Sequence, residues 1–141
     1  MDNYYILDSY AILALLNNEP SAPRIEILLQ QAQSNEITLS MSLINLGEIA
    51  YIIERRWGQE KLRTVLAYLE EAPIKIVPAT KERVFAAAHL KARYPIAYAD
   101  AFAATLAKEF SAILLTGDPE FQIIKEQIAI EWLSTNPSSP Q

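Results

Sequence analysis

Short apolar runs that end on an aspartate, each followed at once by a helical stretch, constrain this chain more than any other feature. Ala112 to Leu115 reads as a short buried strand, which stops at Thr116-Gly117 before Asp118-Pro119 opens a helix. Near the start, Tyr4-Tyr5-Ile6-Leu7 is strand-like and Asp8-Ser9 introduces an apolar helical run. Two strands that each deliver an Asp at the carboxyl end point to one shared site. In open α/β sheets, ligands bind in the crevice outside those ends, where the strand order reverses.

The rest of the chain repeats this alternation. Residues 3–7 form the first expected strand, and Ser9 to Asn17 a short helix with Ala11, Ile12, Leu15 and Leu16 on one face. Pro20-Ser21-Ala22-Pro23 breaks it; Ser21 caps a second helix, with Ile25, Leu28, Leu29 and Ala32 at helical spacing, that ends at Ser34-Asn35. Ile37 to Ser40 is a second strand, and Ser42 caps a helix running to Trp57. That helix carries one apolar stripe of Leu43, Leu46, Ala50 and Ile53, and a second side of Ile44, Tyr51 and Ile52. Such a helix is expected to be buried on two sides, one of them against a partner chain. Gly58 separates it from a helix over 59–71, followed by a strand over 73–77. Thr80 caps a helix through Arg93, closed by Tyr94-Pro95. An alanine-rich helix over 98–110, a strand over 112–115, a short helix after Asp118 and a strand over 128–132 complete the order. Alternating strands and helices imply parallel pairing through right-handed crossovers, hence a three-layer α/β/α sandwich. Residues 1–133 read as one domain, and the Pro/Ser-rich stretch 134–141 as a flexible tail.

Composition narrows the chemistry. The chain has 141 residues, 51% of them hydrophobic, enough for a real core. It has no Cys, which excludes disulfides and zinc–thiolate sites, and a single histidine, His89, which excludes histidine-pair chemistry. Any chemistry must fall to carboxylates. Of 17 acidic residues only Asp2, Asp8, Asp100 and Asp118 are aspartates. Glu suits solvated helix faces, whereas Asp belongs at caps, turns and ligand sites. The net charge of −5 argues against broad electrostatic binding to nucleic acid. The start has no basic n-region, and no run approaches the roughly 18 apolar residues of a spanning helix. A cytoplasmic protein without membrane contact is expected.

Each aspartate has an ordinary structural reading. Asp118 before Pro119 suits a helix N-cap, Asp8 suits a cap of the first helix, and Asp100 in a first helical turn complements the dipole. Glu48 differs. It sits mid-helix, its neighbours Ile44, Tyr51 and Ile52 are apolar, and a carboxylate there must reach solvent, pair with an Arg or hold a metal. Taken together, four converging carboxylates would repel and some would protonate unless a hard cation neutralised them. Mg²⁺ prefers oxygen ligands, lowers the pKa of a bound water and stabilises charge on a phosphoryl oxygen. Ser9 and Thr116 offer hydroxyls behind the acids, or are turn residues.

With these residues the chain resembles the PIN-domain ribonucleases, and specifically the VapC-type toxins. The acidic quartet of that family is matched by Asp8 in Leu7-Asp8-Ser9, Glu48 in Asn45-Leu46-Gly47-Glu48-Ile49, Asp100 in Ala99-Asp100-Ala101-Phe102-Ala103-Ala104 and Asp118 in Leu115-Thr116-Gly117-Asp118-Pro119-Glu120-Phe121. The family's hydroxyl residue is matched by Thr116. The resemblance spans the first strand to about residue 132. It implies a parallel five-stranded sheet of order 3-2-1-4-5, Mg²⁺ or Mn²⁺ held by the four acids, and hydrolysis of single-stranded RNA by a metal-bound water. It also implies a homodimer and neutralisation by a small antitoxin, as in a type II toxin–antitoxin pair. A non-catalytic PIN-like module that binds RNA or metal and acts through a partner is the alternative; the complete quartet argues against it. A phospho-acceptor receiver domain would want paired acids after strand 1 and a Lys near the last strands, which Leu7-Asp8-Ser9 and Ile130-Glu131-Trp132 do not supply. Arg55, Arg56, Lys61, Arg63, Lys91 and Arg93 read either as an RNA-backbone rim or as solvated helix charges.

Overall fold

A computed structural model describes residues 3–134 of the chain. The elements, in order, are β1 (Tyr4–Leu7), α1 (Ser9–Leu16), α2 (Ala22–Gln33), β2 (Thr38–Ser42), α3 (Leu43–Glu71), β3 (Ile74–Val77), α4 (Lys81–Arg93), α5 (Tyr98–Glu109), β4 (Ile113–Thr116), a 3₁₀ turn (Pro119–Ile124) and β5 (Ala129–Trp132). The strands form one sheet of order β3-β2-β1-β4-β5, and every pairing is parallel. The three-layer sandwich and the strand order expected from the sequence are both present. The tail expected over 134–141 lies, from residue 135 on, outside the described residues.

A parallel sheet covered on both faces needs strands that are apolar on both sides. Successive residues of β1 do point into different cores. Tyr5 and Leu7 join Leu39, Met41 and Leu115 under α1, α2 and α3, with Ile12, Ile25, Leu28, Ile49 and Ile53. Ile6 and Leu114 face the other way, onto α5, with Ala87 of α4 and Phe121 and Ile124 of the 3₁₀ turn. Ile6 and Leu7 are completely buried, each contributing about 1.5–3 kcal/mol by removal from water. Ile6→Ala would therefore cost about 2–5 kcal/mol.

The helix ends follow from named residues. Asp8 caps α1, the Ser42 hydroxyl accepts from Ile44 N at the start of α3, and the Thr80 hydroxyl accepts from Arg83 N at the start of α4. Gly58 breaks α3 with φ 89°, a conformation that a residue with a Cβ resists. Ala101, Ala103, Ala104 and Ala107 of α5 are all buried, small side chains that suit close packing of this helix on the sheet.

Two expectations are adjusted. β2 runs on to Ser42 instead of stopping at Ser40, so Ser42 both ends the strand and caps the helix. The fully buried line of the first half of α3 is Asn45, Ile49 and Ile53, whereas Leu43 is 46% exposed. The two apolar sides of this helix serve two cores of the same chain: Leu46 packs on the α1–α2 side and Ile44 on the α5 side. Tyr51 alone of the expected outer face is largely exposed, with the Arg55 guanidinium 5.3 Å from its ring centre. Among the described residues no helix is long and apolar enough to cross a membrane.

Candidate metal centre

Register decides what meets at the carboxyl edge of the sheet. Leu7 of β1 pairs with Leu115 of β4, so the next residue of each strand, Asp8 and Thr116, stand side by side. This is the switch point, because the chain leaves β1 into α1 over one face and leaves β4 into the 3₁₀ turn over the other.

Asp8 is 1% exposed and both its oxygens are engaged. Oδ1 accepts from Ala11 N at 2.9 Å, the N-cap bond of α1, and Oδ2 accepts from the Thr116 hydroxyl at 2.5 Å. The Thr116 oxygen in turn accepts from Asp118 N at 3.0 Å. A continuous chain of hydrogen bonds thus runs from Asp118 through Thr116 to Asp8. Burial pushes the Asp8 carboxyl up to about 7. The two hydrogen bonds oppose this shift, and the charges of Asp118 and Glu48 add to it.

Asp100 lies in the first turn of α5 and is also buried. Burial raises it to about 8, and the neighbouring carboxylates Asp118, Asp8, Glu120 and Glu48 all push in the same direction. Asp118 caps the 3₁₀ turn, its Oδ1 accepting from Glu120 N at 2.9 Å. One carboxylate oxygen each from Asp100, Asp118 and Glu120 lies within 4.8 Å of the others, a spacing that can hold a metal ion. Asp8 and Glu48 stand outside this trio but within its electrostatic reach. Glu48 is half-buried, and the ion pairs among the described residues, Arg24–Glu131 and Arg83–Glu109, leave the centre without a cation. The sequence-based option of an Arg partner for Glu48 is therefore not realised.

Ser9 is buried, but its hydroxyl donates to the Asn45 carbonyl at 3.2 Å rather than to a carboxylate. Asn45 Nδ2 donates to Ser9 Oγ at 3.3 Å and to the Ala99 carbonyl at 3.2 Å. Of the basic residues considered for a rim, Lys91 donates to the Ile96 carbonyl at 2.7 Å, and Arg55 and Arg56 lie over Tyr51 and Trp57.

Two residues at the centre are not evident in the sequence. Glu120 reads there as a helix former, yet its Oε1 accepts from Ala97 N at 2.9 Å. It thereby caps α5, whose own cap residue, Ala97, has no side-chain acceptor. The spacing Asp118-x-Glu120 after a strand was the available signal. Tyr10 is the other. A Cβ at Gly117 would meet its ring at 2.3 Å, so Gly117 is the seat for that ring beside Asp118. Burial and the charges of Glu19, Asp8 and Asp118 raise the Tyr10 phenol.

An all-oxygen, hard, negatively charged donor set suits a divalent cation such as Mg²⁺ or Mn²⁺. A parallel α/β sandwich with such acids at its switch point defines a domain with an acidic centre that could hold a metal ion. The family profile of the PIN domain matches residues 5–127, and the chain belongs to that family. Ribonuclease VapC of Mycolicibacterium smegmatis is 28% identical over 125 residues, 84% of this chain and 94% of that protein. Among solved structures, VapBC2 from Rickettsia felis bound to a promoter DNA fragment is similar, with a TM-score of 0.72 at 20% identity, covering 93% of this chain and 99% of that one. Mycobacterium tuberculosis VapC20, a sarcin–ricin-loop-cleaving toxin, is similar with a TM-score of 0.70 at 14% identity, covering 96% and 99%.

Proposed function

We propose that this protein is a metal-dependent endoribonuclease, the toxin of a type II toxin–antitoxin pair, which hydrolyses RNA phosphodiester bonds in the cytoplasm. The observation that carries the reading is the meeting of Asp100, Asp118 and Glu120 carboxylates, with Asp8 and Glu48 close behind and, among the described residues, no cationic side chain paired to any of them. We assign Asp8, Glu48, Asp100 and Asp118 as the acids that hold Mg²⁺ or Mn²⁺, and add Glu120 to them. When bound, such an ion activates water at neutral pH and stabilises charge on the phosphoryl oxygen. The protein's own part is to orient its acids. Thr116 holds Asp8 in place, and Glu120 ties the start of α5, and so Asp100, to the 3₁₀ turn. Raised Asp8 and Asp100 carboxyls carry protons that a cation must displace, so binding strengthens as pH rises through about 7 to 8.

VapC and VapBC relatives support the ribonuclease and toxin reading, and a small cognate antitoxin as partner. The homodimer implied by the family belongs to the same proposal. The test is cleavage of RNA by purified protein, free of antitoxin, with Mg²⁺ or Mn²⁺ and with EDTA, beside an Asp8→Asn, Asp100→Asn double variant. Cleavage that needs metal and disappears in the variant is expected. A folded, metal-binding protein that leaves structured and unstructured RNA pools intact would shift the reading to a non-catalytic binding module.

A further inference from the structure

We propose that Asn45 is a positioning residue of the acidic centre: its carboxamide joins the starts of the three helices that carry Asp8, Glu48 and Asp100. The inference rests on the metal-dependent reading above. Asn45 lies in the first turn of α3 and is completely buried. Its Nδ2 donates to Ser9 Oγ at 3.3 Å and to the Ala99 carbonyl at 3.2 Å, and Ser9 Oγ donates back to the Asn45 carbonyl at 3.2 Å. Ser9 follows Asp8, Ala99 precedes Asp100, and Glu48 comes one turn after Asn45 on the same side of α3. One side chain thus ties together three backbone segments, each adjacent to a different acid.

The orientation of the carboxamide is set by its partners. A carbonyl oxygen only accepts, so the group facing Ala99 must be the amide nitrogen. That leaves Oδ1 buried with no hydrogen-bond partner. A residue selected for stability alone would avoid this, since a Leu fills such a core position without stranding an acceptor. What Asn supplies and Leu cannot is a pair of directed bonds to α1 and α5. Constellations of ligating groups need placement to within about 0.5 Å, which directional bonds from rigid helix starts provide. Residues that orient ligands in this way typically change metal affinity or activity by about 10–100-fold when replaced.

The test uses the full chain, free of antitoxin, and measures Mn²⁺ affinity by titration calorimetry alongside steady-state RNA cleavage. Asn45→Leu is expected to melt cooperatively in EDTA, to bind Mn²⁺ about 10–100-fold more weakly, and to lose kcat while KM for RNA holds. Adding Ser9→Ala to Asn45→Leu should cost less than Ser9→Ala costs alone, because the bond from Nδ2 is already gone and only the one to the backbone carbonyl remains to be lost. Ile53→Val, a buried change on the same helix, is expected to lower stability and leave Mn²⁺ affinity alone. If Asn45→Leu does not fold, Asn45→Ser is read by the same criteria. Wild-type Mn²⁺ affinity in the Asn45 variant, or an equal loss in Ile53→Val, overturns the positioning role. Failure of the wild-type chain itself to bind Mn²⁺ or cut RNA overturns the metal-dependent reading and this proposal with it.

Discussion

Asp8 and Asp100 act on each other electrostatically, yet the protein treats them differently. Both Asp8 oxygens are consumed, by Ala11 N and by the Thr116 hydroxyl, and the residue is sealed at the base of the crevice. Asp100 shares its space with Asp118 and Glu120, three carboxylates close enough to hold one ion. The deep side is a structural joint between β1, α1 and β4 that also contributes negative charge. The open side concentrates acids that no cationic side chain among the described residues pairs with. Carboxylates that look equivalent in the sequence thus differ in that Asp8 also bonds the fold together, and mutation should separate that contribution from the repulsion the acids share.

The largest effect is expected at the open side. Asp100→Asn and Asp118→Asn should each lower RNA cleavage by roughly 10³-fold, since a lost metal contact removes several kcal/mol of charge stabilisation. Single-turnover assays at saturating Mn²⁺ would show it. Residual activity within tenfold of wild type would mean these two are not ligands. In EDTA at pH 8, Asp100→Asn should melt at a higher temperature than wild type, because a repelled, buried charge is gone.

The deep side should respond in the opposite way. At pH 5, where the Asp8 carboxyl keeps its proton in the folded chain, Asp8→Ala removes the α1 cap and strands the Thr116 hydroxyl, costing about 1–3 kcal/mol in the absence of metal. Urea unfolding in EDTA measures it. If Asp8→Ala and Asp100→Asn shift stability in the same direction, the division between the two sides fails.

A pH series sharpens the comparison further. Both carboxyls, ordinarily near 3.8, sit at about 7 and about 8 in the folded chain. Between pH 4 and those values the folded chain holds protons that the unfolded chain has released. Stability without metal is therefore greatest at the acid end of this window, and is lost as pH rises through the folded values. A fall on the order of a few kcal/mol from pH 5 to pH 8 is expected in EDTA. Mg²⁺ should flatten it by taking the place of the protons. Stability that increases over this range in EDTA would contradict the burial of the pair.

The smallest effect belongs to Glu120. Glu120→Gln keeps an acceptor for Ala97 N but loses the charge, so a drop of about tenfold in Mn²⁺ affinity is expected with little change in melting. Glu120→Ala should lose affinity and also destabilise, by about 0.5–2 kcal/mol, through the missing cap of α5. Equal Mn²⁺ affinity in Glu120→Gln and wild type would leave Glu120 as a cap only.

Much of the architecture is legible in the order of the amino acids. Alternating strand and helix periods, Ser42 and Thr80 as caps, Gly58 as a break and Pro95 as a stop are local signals, and each operates where the sequence places it. The family resemblance supplied the strand order, which the sheet has. The candidate acids were legible because aspartates are rare in this chain and a mid-helix Glu48 needed explanation. Asn45 was not, because a polar residue at a core position breaks the apolar pattern by which cores are recognised. Glu120 was not, because its partner Ala97 is 23 residues away and belongs to another helix.

By itself, then, the sequence determined the element types and most of their limits, the layered alternation of strand and helix, and the reliance of any chemistry on carboxylates. These depend on residues within a turn or two of each other, where backbone preference and hydrophobic period act directly. Only the tertiary structure decided which acids share an oxygen cluster, which one is locked at its base, and that Ser9 reaches Asn45 instead of a carboxylate. Those outcomes depend on strand register, Leu7 beside Leu115, and on how three helix starts meet above it. A shift of one residue would have changed every partner without altering the pattern from which the elements were read.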